Sequence, residues 1–363
     1  MTLELRAVGL VVDGQVHLQP TDLTLAREGF NVLLGTTLSG KTTLMRLMAG
    51  LLQPSAGEIW FDGGNVTGHP VQRRDVSMVY QQFINYPNLS VYENIASPLR
   101  VARSAESLIR QRVGAAAELL RLTPYLDRRP EQLSGGQQQR TAIARALVKD
   151  AALILFDEPL ANLDYKLREE LREELPRLLG DRRCVVAYAT TEPVEALLLG
   201  GHVATLHEGA ITQFGPTAEV YRRPADLRTA QVFSDPPINL APVRKVAGRW
   251  LLDAAGEGTA VQWPVTESQG ALADGDYRLA LRPHHLRIDG AQAGALPVRI
   301  AGRVRVAEIS GSESVVHVDC GALAWVSQTQ GVVRYDVGDA IGVAFDPAQA
   351  LLFDAAGRLA QAG

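Results

Sequence analysis

Residues 31–51 read NVLLGTTLSGKTTLMRLMAGL. NVLLG, residues 31–35, predicts a strand and KTTLMRLMAGL, residues 41–51, a helix. The connection GTTLSGKTT, residues 35–43, fits G-x-x-x-x-G-K-[ST] in the strand-to-helix setting that motif requires. Its chemistry is that of a polyphosphate cradle. Gly35 and Gly40 let the backbone wrap the phosphates, with Thr36, Thr37, Leu38, Ser39 and Thr43 completing the loop and its helix start. The helix beyond Lys41 points its partial positive end at the phosphates, and Lys41 adds one long cation. Thr42 supplies a hydroxyl to Mg²⁺. Working outward, LILF (153–156) and CVVAY (184–188) are further apolar strands of the kind found in a parallel sheet covered on both faces. The segment from 105 to 148 and YKLREELREELPRLL (165–179) read as helices, the latter with Leu167, Leu171, Leu175 and Leu178 on one face. The first 235 residues are therefore expected to form an α/β domain with a helical part at about 85–148.

After residue 240 the pattern changes to alternation. Tyr277, Leu279 and Leu281, then Val304 and Val306, Val316 and Val318, and Ile341, Val343 and Phe345 share faces, between GEG, DG and SGS turns. Residues 236–363 are expected to be a small all-β, OB-like domain joined through DPPINLAP, residues 235–242. Trp250, Trp263 and Trp325 are read as core. The whole chain of 363 residues has net charge −4, which gives no footprint for nucleic acid. Cys184 and Cys320 form no ligand or redox pair, and the seven histidines show no metal spacing. No apolar run approaches the roughly 20 residues of a membrane span, and the amino terminus lacks a secretory layout. Any membrane role is expected to come through a partner.

Two further stretches bear chemistry. LILFDEP ends a strand in Asp157 and Glu158, at the end where a parallel sheet meets its ligands. Asp157 can hold the Mg²⁺ shell, and Glu158 can orient a water for attack on a γ-phosphate. LSGGQQQR, residues 133–140, lets Ser134 cap a helix whose first turn carries Gly135 and Gly136, which makes a second anion-binding helix start. One chain thus has two phosphate-binding ends, one more than a single nucleotide needs.

With these motifs in this order, residues 1 to about 235 resemble the ATP-binding cassette ATPases of ABC transporters. The resemblance implies that two cassettes sandwich ATP head to tail, with Ser134, Gly135, Gly136 and Gln137 serving the partner's nucleotide. It also implies that Gln81, in MVYQQFINYP, senses Mg²⁺ and contacts the permease, and that Asp164, in LANLD, lies at the dimer seam. YPNLSVYENIASPLR, EPLANLDYKLR, ITQFGPTAEVYRRPADL and LRPHHL are similar to bacterial maltose and sn-glycerol-3-phosphate importer ATPases. YQQFINYPN and YATTEPVEALLLGG are most similar to one of the two ATPase subunits of bacterial glycerol importers. Implied with that family are two permease subunits, an extracytoplasmic solute-binding protein, a place at the cytoplasmic face of the inner membrane, and a regulatory role for the β domain.

The chain departs from the family around the nucleotide. Thr191 stands where a histidine bonds the γ-phosphate, and losing a positioned donor there costs about 10²- to 10³-fold in rate. Leu38 replaces a loop glycine, and Val12 stands where an aromatic ring would stack on adenine. ATP is therefore expected to bind in this chain's loop and turn over slowly, in an asymmetric heterodimer with a second ATPase. A homodimer in which Thr191 works through a water is the alternative. A non-hydrolysing regulatory subunit and a non-transport cassette protein are lesser rivals.

Overall fold

In the computed structural model, which describes every residue except 28, 83, 162, 181, 183, 253–260, 289–295 and 363, the strand Phe30–Gly35 lies inside a six-stranded sheet. From one edge the order is Ala210–Pro216, His202–His207, Phe30–Gly35, Val185–Thr190, Leu153–Asp157 and Val76–Val79. All neighbours are parallel except the outer hairpin pair. Phe30–Gly35, Val185–Thr190 and Leu153–Asp157 are buried along their whole length. That burial accounts for their unbroken apolar text. Register pairs Leu34 with Thr190 and Asp157 with Ala189, so three strands deliver Gly35, Asp157 and Thr190 to one rim.

Beneath that rim the helix Lys41–Ala49 packs between two sheets. The second is antiparallel, in the order Gln15–Ala26, Thr2–Val12, Ala56–Phe61 and Gly64–Asn65. Leu44, Met45, Leu47 and Met48 have no exposure and share a core with Leu5, Leu23 and Ile59 on one side and Leu33, Leu155 and Ala187 on the other. Each such side chain contributes about 1.5–3 kcal/mol by leaving water. The phosphate-loop helix is thereby fixed against the strands that carry the rest of the site. Helices Val91–Val101, Glu106–Leu119 and Gly135–Val148 fall inside the expected helical part.

The helix Tyr165–Gly180 differs from its sequence reading in one respect. Its buried stripe is Leu167, Leu171, Leu175 and Leu179, with Leu178 only partly covered, and Arg172 lies in the stripe. A 3.6-residue turn carries the stripe on by four residues from Leu175, which reaches Leu179.

The chain divides into two compact units, Met1–Thr217 and Ala218–Gly363, a seam ahead of the 235/236 boundary expected from sequence. The reason lies in the helix Leu227–Val232. Its Leu227 and Ala230 join Ile238, Ala280, Leu351 and Phe353 in one apolar cluster of the second unit. DPPINLAP is likewise no free linker, since Asn239 already begins the strand Asn239–Val246.

The second unit is built from a six-stranded and a five-stranded sheet around one core, in which Trp250, Trp263 and Trp325 are 1%, 2% and 0% exposed. Val316, Val318, Ile341, Val343 and Phe345 are buried as the alternation predicts. Val306 is not, at 41% exposure, because the pairing of Val298–Ile309 shifts register between Val304 and Val306. A bulge there turns the next side chain outward. The expected GEG turn lies outside the described residues.

Candidate functional site

The phosphate loop folds over the amino end of its helix. Ser39 N–H donates to the Thr36 carbonyl at 3.1 Å, and Gly40, at φ 103°, turns the chain into Lys41 through a conformation that side-chain-bearing residues avoid. A second support comes from far along the chain. Gly209 N–H donates to the Ser39 carbonyl at 3.0 Å, and a Cβ at Gly209 would meet the His17 carbonyl at 2.8 Å. Only glycine allows that close approach. Leu38 has φ 66° and is 95% exposed, so it carries left-handed strain with no packing in return. That strain costs about 1–2 kcal/mol. Leu38→Gly is expected to raise the stability of the first unit by about 1 kcal/mol, read as a higher denaturant midpoint at unchanged slope.

Lys41 is 4% exposed and donates to the carbonyls of Gly35 at 2.8 Å and Thr36 at 3.0 Å. Burial lowers its pKa, and nearby Glu158 opposes that shift. Its Nζ lies 3.6 Å from Glu158 Oε1, while Gln81 Nε2 donates to Glu158 Oε2 at 3.1 Å. Asp157 is 1% exposed and accepts from Thr42 Oγ1 at 3.1 Å. Burial raises its pKa, an effect that the Thr42 hydrogen bond opposes. Glu158 itself has φ 48°, outside ordinary strand geometry, and its N–H donates to the Ala189 carbonyl at 3.0 Å. The structure thus brings Lys41, Thr42, Gln81, Asp157 and Glu158 together from three separate stretches of chain.

A cavity of about 440 Å³ opens above them, lined by Thr37 to Thr43 together with Gln81 and Glu158. Its remaining wall is Val16, His17, Glu208 and Gly209, which the sequence reading did not single out. The signal for Glu208 and Gly209 was a Glu-Gly pair between two apolar strands, a hairpin turn whose place at the loop only the sheet order reveals. Val12 is 43% exposed and pairs with Gln15 at the tip of its hairpin, whereas Val16 and His17 stand at the cavity wall.

The residues expected to act elsewhere are placed as follows. Ser134 caps the helix Gly135–Val148 with its side chain on Gln137 N–H at 3.3 Å, and Gln137 Oε1 accepts from Ser134 N–H at 2.9 Å. The helix start with Gly135 and Gly136 is therefore rigid and bare. Asp164 caps the helix Tyr165–Gly180 by accepting from Leu167 N–H at 3.0 Å. Thr191 is exposed at the end of the fully buried strand Val185–Thr190.

Behind Thr191 lies an ionic network centred on the buried Arg172 and Glu195. Arg172 is 9% exposed and pairs with Glu192 and with Glu195, the latter at 3.2 Å. Glu195 also accepts from Tyr188 Oη at 3.1 Å and Thr190 Oγ1 at 2.6 Å. Arg168 bonds Glu192 at 3.0 Å and the Ala161 carbonyl at 3.2 Å. Arginines four apart on one helix facing glutamates three apart on the next were the available signal. Arg172→Met leaves the buried Glu195 carboxylate without its cationic partner, while Glu192 keeps Arg168, and is expected to cost about 3–5 kcal/mol of stability, measured by chemical denaturation.

Residues 18–161 match the ABC transporter family and residues 279–353 the TOBE domain. The chain is 36% identical over 320 residues, 87% of each chain, to the sn-glycerol-3-phosphate import ATP-binding protein UgpC of Pectobacterium atrosepticum. It is 34% identical over 346 residues, 93% of each chain, to the alpha-glucoside transport ATP-binding protein AglK of Rhizobium meliloti. Among solved structures, the dimeric post-hydrolysis state of the ATP-binding cassette MJ0796 bound to ADP and Pi superposes with TM-score 0.54 at 28% identity, covering 59% of this chain and 98% of that one. Phosphate loop, paired acids, capped signature helix and full-length likeness agree: the chain belongs to the ABC transporter family, as an ATP-binding ATPase with a TOBE domain.

Proposed function

We propose that this chain drives a bacterial importer of glycerol or a related polyol, sugar or glycerol phosphate. In this reading it sits at the cytoplasmic face of the inner membrane on two permease subunits, fed from outside by a solute-binding protein. The observation that carries the reading is the pairing of Lys41, Thr42, Gln81, Asp157 and Glu158 around one cavity with a separate bare helix start at Ser134. Relatives named for sn-glycerol-3-phosphate and alpha-glucoside support the solute class. Among the described residues no helix is long and apolar enough to cross a membrane, in keeping with attachment through partners.

Mg²⁺ fits the oxygen donors present. Thr42 and Asp157 would hold it with Gln81 nearby, and it needs no larger protein cage because phosphates and waters complete its shell. When bound, it supplies charge neutralisation at the β and γ phosphates. Lys41, short of solvent, exchanges its contact with Glu158 for the triphosphate. Glu158 is then free to orient the attacking water, with Gln81 still on its carboxylate. Hydrolysis requires the partner's Ser134-type helix start to close the cavity, and its completion reopens the pair.

Thr191 supports an asymmetric pairing with a second ATPase, since a threonine hydroxyl is shorter than an imidazole and never cationic. Its exposure favours the second reading, a homodimer in which a water bridges Thr191 to the phosphate. Purification of the tagged chain from its native membrane tests both. Two permeases and a second ATPase are expected; a single kind of ATPase selects the homodimer, and absence of permeases overturns the transport reading.

A further inference from the structure

The cavity over the phosphate loop, about 440 Å³, falls within the range of about 300–1,000 Å³ typical of small-molecule sites. Sheet order gives it two unlike flanks. Gln81 and Glu158 follow the strands Val76–Val79 and Leu153–Asp157, on one side of the strand Phe30–Gly35 that feeds the loop. Glu208 and Gly209 join His202–His207 to Ala210–Pro216 on the other side. A triphosphate whose terminal group meets Glu158 therefore extends its organic end toward the second flank.

That flank is fixed in place. Gly209 N–H donates to the Ser39 carbonyl at 3.0 Å, and the Gly209 carbonyl accepts from Gln19 N–H at 2.8 Å. The turn is thus clamped between the phosphate loop and the strand Gln15–Ala26. Glu208 is held at the cavity with its side chain 80% exposed and His207 Nε2 3.9 Å from Oε1. Val16, 53% exposed, and the exposed His17 complete the wall, whereas Val12 stands outside it.

These side chains suit a nucleoside better than a phosphate. A carboxylate draws hydroxyl donors rather than phosphate oxygens, and an acidic residue bonds ribose in this way in dinucleotide folds. An imidazole offers a flat face on which a base stacks. A base lying there also takes the apolar surface of Val16 out of water.

Given a nucleotide in the phosphate loop, we propose that this flank is its nucleoside subsite, with Glu208 accepting from the ribose hydroxyls and His17 stacking on the base.

Equilibrium binding to the full chain tests this with ATP, 2′,3′-dideoxy-ATP and inorganic tripolyphosphate, in EDTA so that nothing is hydrolysed. The parent is expected to bind ATP at least threefold more tightly than the dideoxy form, and Glu208→Ala to erase that preference. His17→Ala is expected to weaken ATP by about 5- to 150-fold, the effect of one lost stacking platform, and to leave tripolyphosphate within twofold. His17→Phe is expected to restore ATP binding to within threefold of the parent. An equal loss of ATP and tripolyphosphate in His17→Ala would assign the residue to support of the loop and overturn the proposal. Unchanged ATP affinity in that variant, a parent indifferent to the ribose hydroxyls, or a preference that survives Glu208→Ala would overturn it too. A parent that binds neither ATP nor tripolyphosphate would overturn nucleotide binding itself, and the subsite with it.

Discussion

Thr191→His is expected to raise ATP turnover at this chain's own phosphate loop by about 10²- to 10³-fold, the size of effect attached to one positioned transition-state donor. The site is prepared to accept the change. Thr191 is exposed at the strand end, so the larger ring displaces no packing. The following residue, Glu192, is tied to Arg168 and Arg172, which holds the backbone in place while the side chain changes. Single-turnover cleavage in the assembled complex is the measurement, because it separates chemistry from product release. A gain under threefold would mean that Thr191 already performs the donor's role and that the homodimer reading is correct.

The second large effect follows from Glu158. In the Thr191→His background, Glu158→Gln is expected to lower cleavage by about 10²- to 10⁴-fold, the range for loss of a positioned general base. Nucleotide affinity should stay within a few-fold of the parent, since glutamine keeps the shape and can still meet Gln81. Loss of binding together with rate would instead assign Glu158 a role in holding the loop through Lys41, which lies 3.6 Å away.

Much of this site was readable from sequence because its parts are local. The loop from Gly35 to Thr43, the acids at a strand end and the Ser134 cap are each set by residues within a few positions of one another. What joins them is not local. Gln81 reaches Glu158 across 77 positions, and Gly209 supports Ser39 from a turn near the far edge of the sheet. Only the strand order makes those neighbours.

Charge patterns misled for a different reason. The helix Tyr165–Gly180 is rich in Arg and Glu, and such text reads as solvated unless the partner charges on the next helix are matched to it. Arg172 with Glu192 and Glu195 shows that a charged position can be core when its counter-ions are supplied. In the second unit, alternation located the strands but could not foresee the bulge that exposes Val306, because a register shift depends on the partner strand.

Each nucleotide is expected to lie between one chain's phosphate loop and the Ser134-capped helix start of another chain. Cysteine crosslinking between Ser134→Cys and a cysteine in the phosphate loop of the opposing cassette tests this most directly. The native thiols Cys184 and Cys320 are buried and do not compete. With Glu158→Gln to trap ATP, an intermolecular crosslink is predicted that forms with Mg-ATP and disappears with ADP. Absence of that crosslink at saturating ATP, in a complex shown to bind the nucleotide, would contradict the account.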